Sequence, residues 1–145
     1  RPQSGKIIEK ISRSRKNRQL MEVNYSKGKT AITNYKTLEI YQKFNIPKIS
    51  LVEFKLETGR THQIRVHMLF KGNSILGDKS YGRKIKKFKD INKSLEKKIN
   101  KFDRQALHAK SLEFIHPRTN KLVSFEAPRP KDFDNLAKSL KKLSF

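Results

Sequence analysis

The chain has 145 residues, with 35 Lys and Arg against 13 Asp and Glu and a formal net charge of +22. That length suits one domain with a modest core; the lack of Cys excludes disulfides and thiolate metal sites, and no apolar run approaches the roughly 18 residues that span a membrane. So large a positive charge points to a polyanionic partner, most simply nucleic acid. A lysine-rich genome would also raise the count, so the arginines are the more telling residues.

Taken in chain order, Lys6 to Ile11 alternates apolar and polar and reads as a short strand. Ser12 to Gln19 is a basic turn carrying Arg13, Arg15, Lys16 and Arg18, four candidate RNA contacts. Leu20 to Asn24 is extended again, and Gly28 serves the turn that follows. Thr30 to Tyr41 is a longer strand rich in β-branched and aromatic residues, with Ala31, Thr33, Tyr35 and Thr37 on one side. Asn45-Ile46-Pro47 breaks it, and Ile49 to Glu57 alternates once more, so an antiparallel meander is the simplest topology.

From Thr61 the period changes to that of a helix ending near Gly72, with Ile64 and Met68 expected inward. Asn73 to Gly82 is a loop. Arg83 to Arg104 holds ten Lys and Arg against three acids, with Ile85, Phe88, Ile91, Leu95 and Ile99 at intervals of three or four. It reads as a basic amphipathic helix or a partly mobile insertion. Gln105 to Ile115 and Lys121 to Glu126 are two further strands, and Lys131 to Leu143 is an amphipathic helix with Asp132 and Asp134 near its positive end. The fold class expected is α+β, a mixed, mostly antiparallel sheet with flanking helices.

Metal and cofactor chemistry find little support. His62, His67, His108 and His116 include no pair at i, i+4, and no Cys assists them. The six glycines form neither a phosphate-binding loop nor a dinucleotide fingerprint, and no Gly-x-Ser-x-Gly elbow occurs. The expectation is no metal and no cofactor. The densest polar cluster is Glu57-Thr58-Gly59-Arg60-Thr61-His62-Gln63-Ile64-Arg65-Val66-His67. It lies at a strand-to-helix junction, where backbone N–H groups favour anions. Arg60 and Arg65 can fork onto a phosphate or carboxylate, while His62 and Gln63 can hydrogen-bond a base or sugar.

That string resembles the signature of the RluA-type pseudouridine synthases. Three further stretches resemble the family in the same order: Ile75-Leu76-Gly77-Asp78-Lys79-Ser80-Tyr81-Gly82, the run Arg104 to Pro117, and Phe125-Glu126-Ala127-Pro128. Upstream, Ile11-Ser12-Arg13 and Lys29 to Thr33 match as well. Phe102-Asp103-Arg104-Gln105 and the basic insertion look most like members that modify large-subunit ribosomal RNA.

The resemblance implies isomerisation of uridine to pseudouridine in RNA, without a cofactor, on a nucleotide drawn out of its stack. It implies that Arg65 pairs with a catalytic Asp, that Leu107 lies beside the uracil, and that Arg60, His62, Gln63 and His67 form the polar surround. The family's Arg-Leu-Asp motif does not occur in these 145 residues. With Arg1-Pro2-Gln3-Ser4-Gly5 showing neither initiator Met nor signal pattern, residues 1–145 are expected to be a single, partial catalytic domain, its C-terminal part, with 83–104 as a basic insertion. The expected partners are ribosomal RNA and the missing N-terminal half, with no membrane. The expected location is cytoplasmic, and the chain alone is expected to be inactive. The alternative is a non-catalytic RNA-binding module from a split or truncated synthase.

Overall fold

The computed structural model describes residues 3–42, 48–82 and 93–142. Four strands, β1 (Ser4–Arg13), β2 (Met21–Val23), β3 (Lys29–Tyr41) and β4 (Ile49–Leu56), form one sheet in the order β2-β1-β3-β4. Two more, β5 (Ser111–Ile115) and β6 (Leu122–Glu126), form a separate hairpin. Every described pairing is antiparallel. Helices α1 (Gln63–Phe70), α2 (Lys93–Lys101) and α3 (Lys131–Lys141) complete the α+β architecture expected from the sequence.

One side of β3 carries the core. Ala31 and Thr33 are fully buried, and Tyr41 is buried at the far end. The small Ala31 lets α1 approach, so that Val66 sits with Ile11, Ala31 and Tyr81. At the opposite end, Tyr41 joins Leu95 and Ile99 of α2 and Leu136 and Leu140 of α3. The register shifts between Thr37 and Glu39, and this irregularity lies between the two clusters. Such a bulge bends a strand and increases its twist.

Several local expectations change. Helix α1 starts at Gln63 because His62 has φ 54°, a left-handed conformation that cannot continue a helix backwards. Its buried residues are Gln63, Val66 and His67, whereas Ile64 and Met68 are only half-buried. Within the basic segment, residues 93–101 form α2, whose Leu95 and Ile99 are anchored in the core, so the helical alternative holds there. Residues 83–92 lie outside the described ones. Strand β5 begins at Ser111, six residues later than expected, because the chain before it serves a different purpose: the Ala106 N–H donates to the Leu76 carbonyl (2.8 Å). That contact needs Gly77, which has φ 75° and lies against the Phe102 and Arg104 carbonyls where a Cβ would clash.

His67 is the largest fully buried side chain. Thr33 Oγ1 accepts from Gln63 Nε2 (2.9 Å), so its own hydrogen is free to go to His67 Nδ1 (2.9 Å). That leaves His67 Nε2 buried without a partner. Burial lowers the pKa of His67, only partly offset by the negative charge of Glu9.

Two outcomes follow. Gly77→Ala is expected to destabilise the fold by about 2–3 kcal/mol, through the left-handed backbone and the clash together, read by urea denaturation. Because His67 is neutral when folded and ordinary when unfolded, its contribution to stability is present above pH 6.5. It is lost as the pH falls below that value towards the lowered folded pKa. The melting temperature should drop over this range, and His67→Leu should flatten the drop; an equally steep profile in that variant would refute the assignment.

Candidate functional site

The turn after β4 is built by one buried amide. Gln63 Oε1 accepts from the Thr58 hydroxyl (2.8 Å) and from the Arg60 N–H (2.9 Å). Its Nε2 donates to the Ile32 carbonyl (3.0 Å) as well as to Thr33. Thr58 Oγ1 in turn accepts the Ile32 N–H (2.8 Å). Thr58, Gly59 and Arg60 are thus clamped between β3 and the start of α1, and the Arg60 side chain is left exposed, with its Nε donating to the Thr30 carbonyl (3.1 Å).

Arg65 projects from the same helix towards the loop that follows it. Its Nε and Nη2 donate side-on to Asp78 Oδ2 and Oδ1 (2.7 and 2.8 Å). The Asp78 side chain is 0% exposed and that of Arg65 13%. Asp78 Oδ1 also accepts the Ser80 and Tyr81 N–H groups (3.1 and 3.0 Å). Burial alone would raise the Asp78 carboxyl; the Arg65 hydrogen bonds and the two backbone donors outweigh it and hold the group below its ordinary value. Asp78 is therefore a structural anion with its oxygens occupied. Arg65 Nη1 has no partner in the chain among the described residues and is not sealed from solvent, so one edge of the guanidinium is open.

Tyr81 organises what surrounds that edge. The Arg65 guanidinium carbon lies 4.6 Å from the centre of the Tyr81 ring, a cation–π arrangement. The Tyr81 hydroxyl accepts the Met21 N–H (2.8 Å) and contacts His62 Nδ1 (2.8 Å), and the two rings meet edge to face at 5.4 Å. Met21 opens β2, so Tyr81 ties the basic β1–β2 turn to the cluster. Arg13, Arg15, Lys16 and Arg18 on that turn are all exposed, and Arg13 donates to the Arg18 carbonyl.

The sequence string therefore divides in two. Arg60, His62 and Arg65 remain available, together with the four cations of the basic turn. Gln63 and His67, expected as RNA contacts, are 3% and 0% exposed and bind Thr33 beneath the helix. One turn of helix places residues 63, 66 and 67 together on the sheet side and 65 on another; His62 precedes the helix and is turned towards Tyr81 by its left-handed backbone. Arg65, expected to await an absent Asp, already holds Asp78. Leu107 is half-buried in the segment that Ala106 fastens to Leu76, two residues from Asp78. Tyr81 is a site residue not expected from the sequence; its signal is the Gly-Asp-x-x-Tyr-Gly spacing, which sets Tyr81 three residues beyond Asp78. Among the described residues no group of His, Asp and Glu is arranged to hold a metal, and no helix is long and apolar enough to cross a membrane.

Comparison with known proteins finds relatives of this chain. A family model described as RNA pseudouridylate synthase matches residues 1–70. The chain is 44% identical over 138 residues to the Bacillus subtilis protein named Uncharacterized RNA pseudouridine synthase YlyB, covering 95% of this chain and 39% of that protein. It is 44% identical over 137 residues to the ribosomal large subunit pseudouridine synthase D of Zymomonas mobilis, covering 94% and 40%. The chain thus spans about two fifths of the length of these relatives. The solved structure of human RNA pseudouridylate synthase domain containing 1 shares the fold with a TM-score of 0.66 at 24% identity, over 97% of this chain and 60% of that one. On these matches, the chain is similar to RNA pseudouridine synthases along nearly its whole length.

Proposed function

We propose that this chain supplies the arginine-bearing side of an RNA pseudouridine synthase site that acts on large-subunit ribosomal RNA, in the cytoplasm. The observation that carries the proposal is the Arg65 guanidinium, locked by Asp78 on two nitrogens and resting on Tyr81, with its third nitrogen open. The reaction breaks the bond from C1′ to N1 of uridine, turns the uracil and joins C1′ to C5; C5 gives up its proton to solvent and N1 takes one up, so the product is an isomer. A carboxylate that attacks the nucleotide must stay ionised, and an adjacent arginine does this. The open Nη1 edge suits that carboxylate, and Leu107 provides an apolar neighbour for the base. The relatives named for the ribosomal large subunit support the choice of RNA.

Asp78 is a poor nucleophile because its side chain is sealed from solvent and both of its oxygens accept hydrogen bonds. Arg65 ion-pairs with no other carboxylate among the described residues, and no Arg-Leu-Asp occurs in the sequence. The reacting carboxylate therefore comes from a second segment, which is the partner this reading requires. An uncovered surface supports such a partner. Leu112, Phe114, Val123 and Phe125 share one face of the β5–β6 hairpin, and the two Phe rings stack at 6.2 Å. Leu112 and Phe125 remain 61% and 57% exposed. A lone two-stranded hairpin is marginal in water and gains stability from added strands or a covering element.

Release of tritium from 5-³H-uridine RNA tests the reaction. The chain alone should give none. Adding the family's Arg-Leu-Asp-bearing segment should restore it, and Arg65→Lys in that assembly should lower turnover by about a hundredfold or more. Turnover by the 145 residues alone would overturn the reading; binding without restored release would favour an RNA-binding module. Exposed Arg13, Arg15, Lys16, Arg18 and Arg60 are the proposed phosphate contacts. If all five act on a single strand, log affinity against log salt should have a slope of about −3.5, made shallower by about 1.4 in the Arg15→Ala, Arg18→Ala double variant.

A further inference from the structure

His62 is held in an unusual way. Its φ of 54° costs a non-glycine residue free energy, and it gives α1 no side-chain cap. What the conformation does is deliver Nδ1 to the Tyr81 hydroxyl at 2.8 Å. Tyr81 is 3% exposed and its oxygen already accepts the Met21 N–H. A phenol has a single hydrogen to donate. If His62 Nδ1 carried a proton, that hydrogen would have no acceptor in a buried place. The arrangement in which every group is satisfied has Tyr81 donating to a bare Nδ1, so the imidazole hydrogen sits on Nε2. No group in the chain takes Nε2 among the described residues, and it is not sealed from solvent.

The charges facing His62 oppose a second proton. Arg65 on α1 and Arg13 on β1 disfavour it, and Asp78, the one acid acting on it, is committed to Arg65. Burial acts in the same direction and is the largest influence. The ring is thus an uncharged donor placed between the cations of the β1–β2 turn and the open edge of Arg65.

We infer that His62 is a positioning residue that gives the RNA one hydrogen bond from Nε2–H, in the tautomer set by Tyr81, to an oxygen acceptor next to the nucleotide that Arg65 faces. The inference rests on the proposed reading that this surface binds RNA. A neutral donor contributes direction without adding to the charge, and its contact is insensitive to pH through the neutral range. The acceptor is a base carbonyl or a phosphate oxygen; both offer the same lone-pair chemistry.

Long-range ¹H–¹⁵N correlation of the histidine rings in the 145-residue chain tests the tautomer without RNA. His62 should show a bare Nδ1 and a protonated Nε2 at pH 7, with a titration midpoint below 6.5. Tyr81→Phe should mix the tautomers and move the midpoint upward. Affinity for an RNA oligonucleotide containing uridine should fall about tenfold in His62→Phe, and less in His62→Gln, which keeps an N–H donor. Thermal melts establish that each variant folds. A thiocarbonyl uridine or a single methylphosphonate, placed in turn along the oligonucleotide, should weaken the wild type at one position and leave His62→Phe indifferent there; which substitution acts names the acceptor. A protonated Nδ1 in the wild type overturns the inference, as does a folded His62→Phe that binds RNA as tightly as the wild type. A wild-type chain that binds no RNA overturns the RNA reading and this contact together.

Discussion

The ion pair between Arg65 and Asp78 is the constraint on which the rest of the site depends. It joins α1 to the loop before Tyr81 by two parallel hydrogen bonds, in a place where water is nearly excluded. Removing either partner of such a buried pair strands the other charge at a cost of about 3–5 kcal/mol. The same carboxylate takes the backbone N–H of Tyr81, so the pair also fixes where that ring stands. Through Tyr81 it reaches Met21 at the start of β2 and His62 at the head of α1. Three segments distant in sequence are thereby referenced to one buried carboxylate.

Beneath this layer a second polar network seats α1 on the sheet. Gln63, Thr33, His67 and Thr58 exchange hydrogen bonds where an ordinary helix–sheet contact would be apolar. Hydrogen bonds in such a setting are directional, and losing one leaves a buried group unsatisfied. The contact therefore specifies the rotation of α1 as well as its distance from β3. With 63 and 67 locked inward, 65 has one place to go. The polar underside and the outward course of Arg65 are two consequences of one helical phase.

At the other end of the sheet, α2 and α3 close over Tyr41 with apolar side chains, and the Arg104–Asp132 pair (2.9 Å on both bonds) ties the segment leading to Leu107 to α3. The β5–β6 hairpin stands apart, exposing an apolar face.

Much of this was legible in the sequence because it depends on local periodicity. Alternation marked β1, β3 and β4, and the spacing of Phe133, Leu136 and Leu140 marked α3, because each element's pattern repeats at its own period whatever it meets. The eleven-residue string and the Gly-Asp-x-x-Tyr-Gly run carried the resemblance to the pseudouridine synthases because they are long and specific. The sequence did not say which polar residues of the string were buried, because Gln63 and His67 look like solvent-facing groups until Thr33, some thirty residues away, supplies their partners. Nor did it pair Arg65 with Asp78, or give Tyr81 its threefold role. Those assignments depend on the distance between a helix, a loop and a strand edge, and only the folded chain sets that distance.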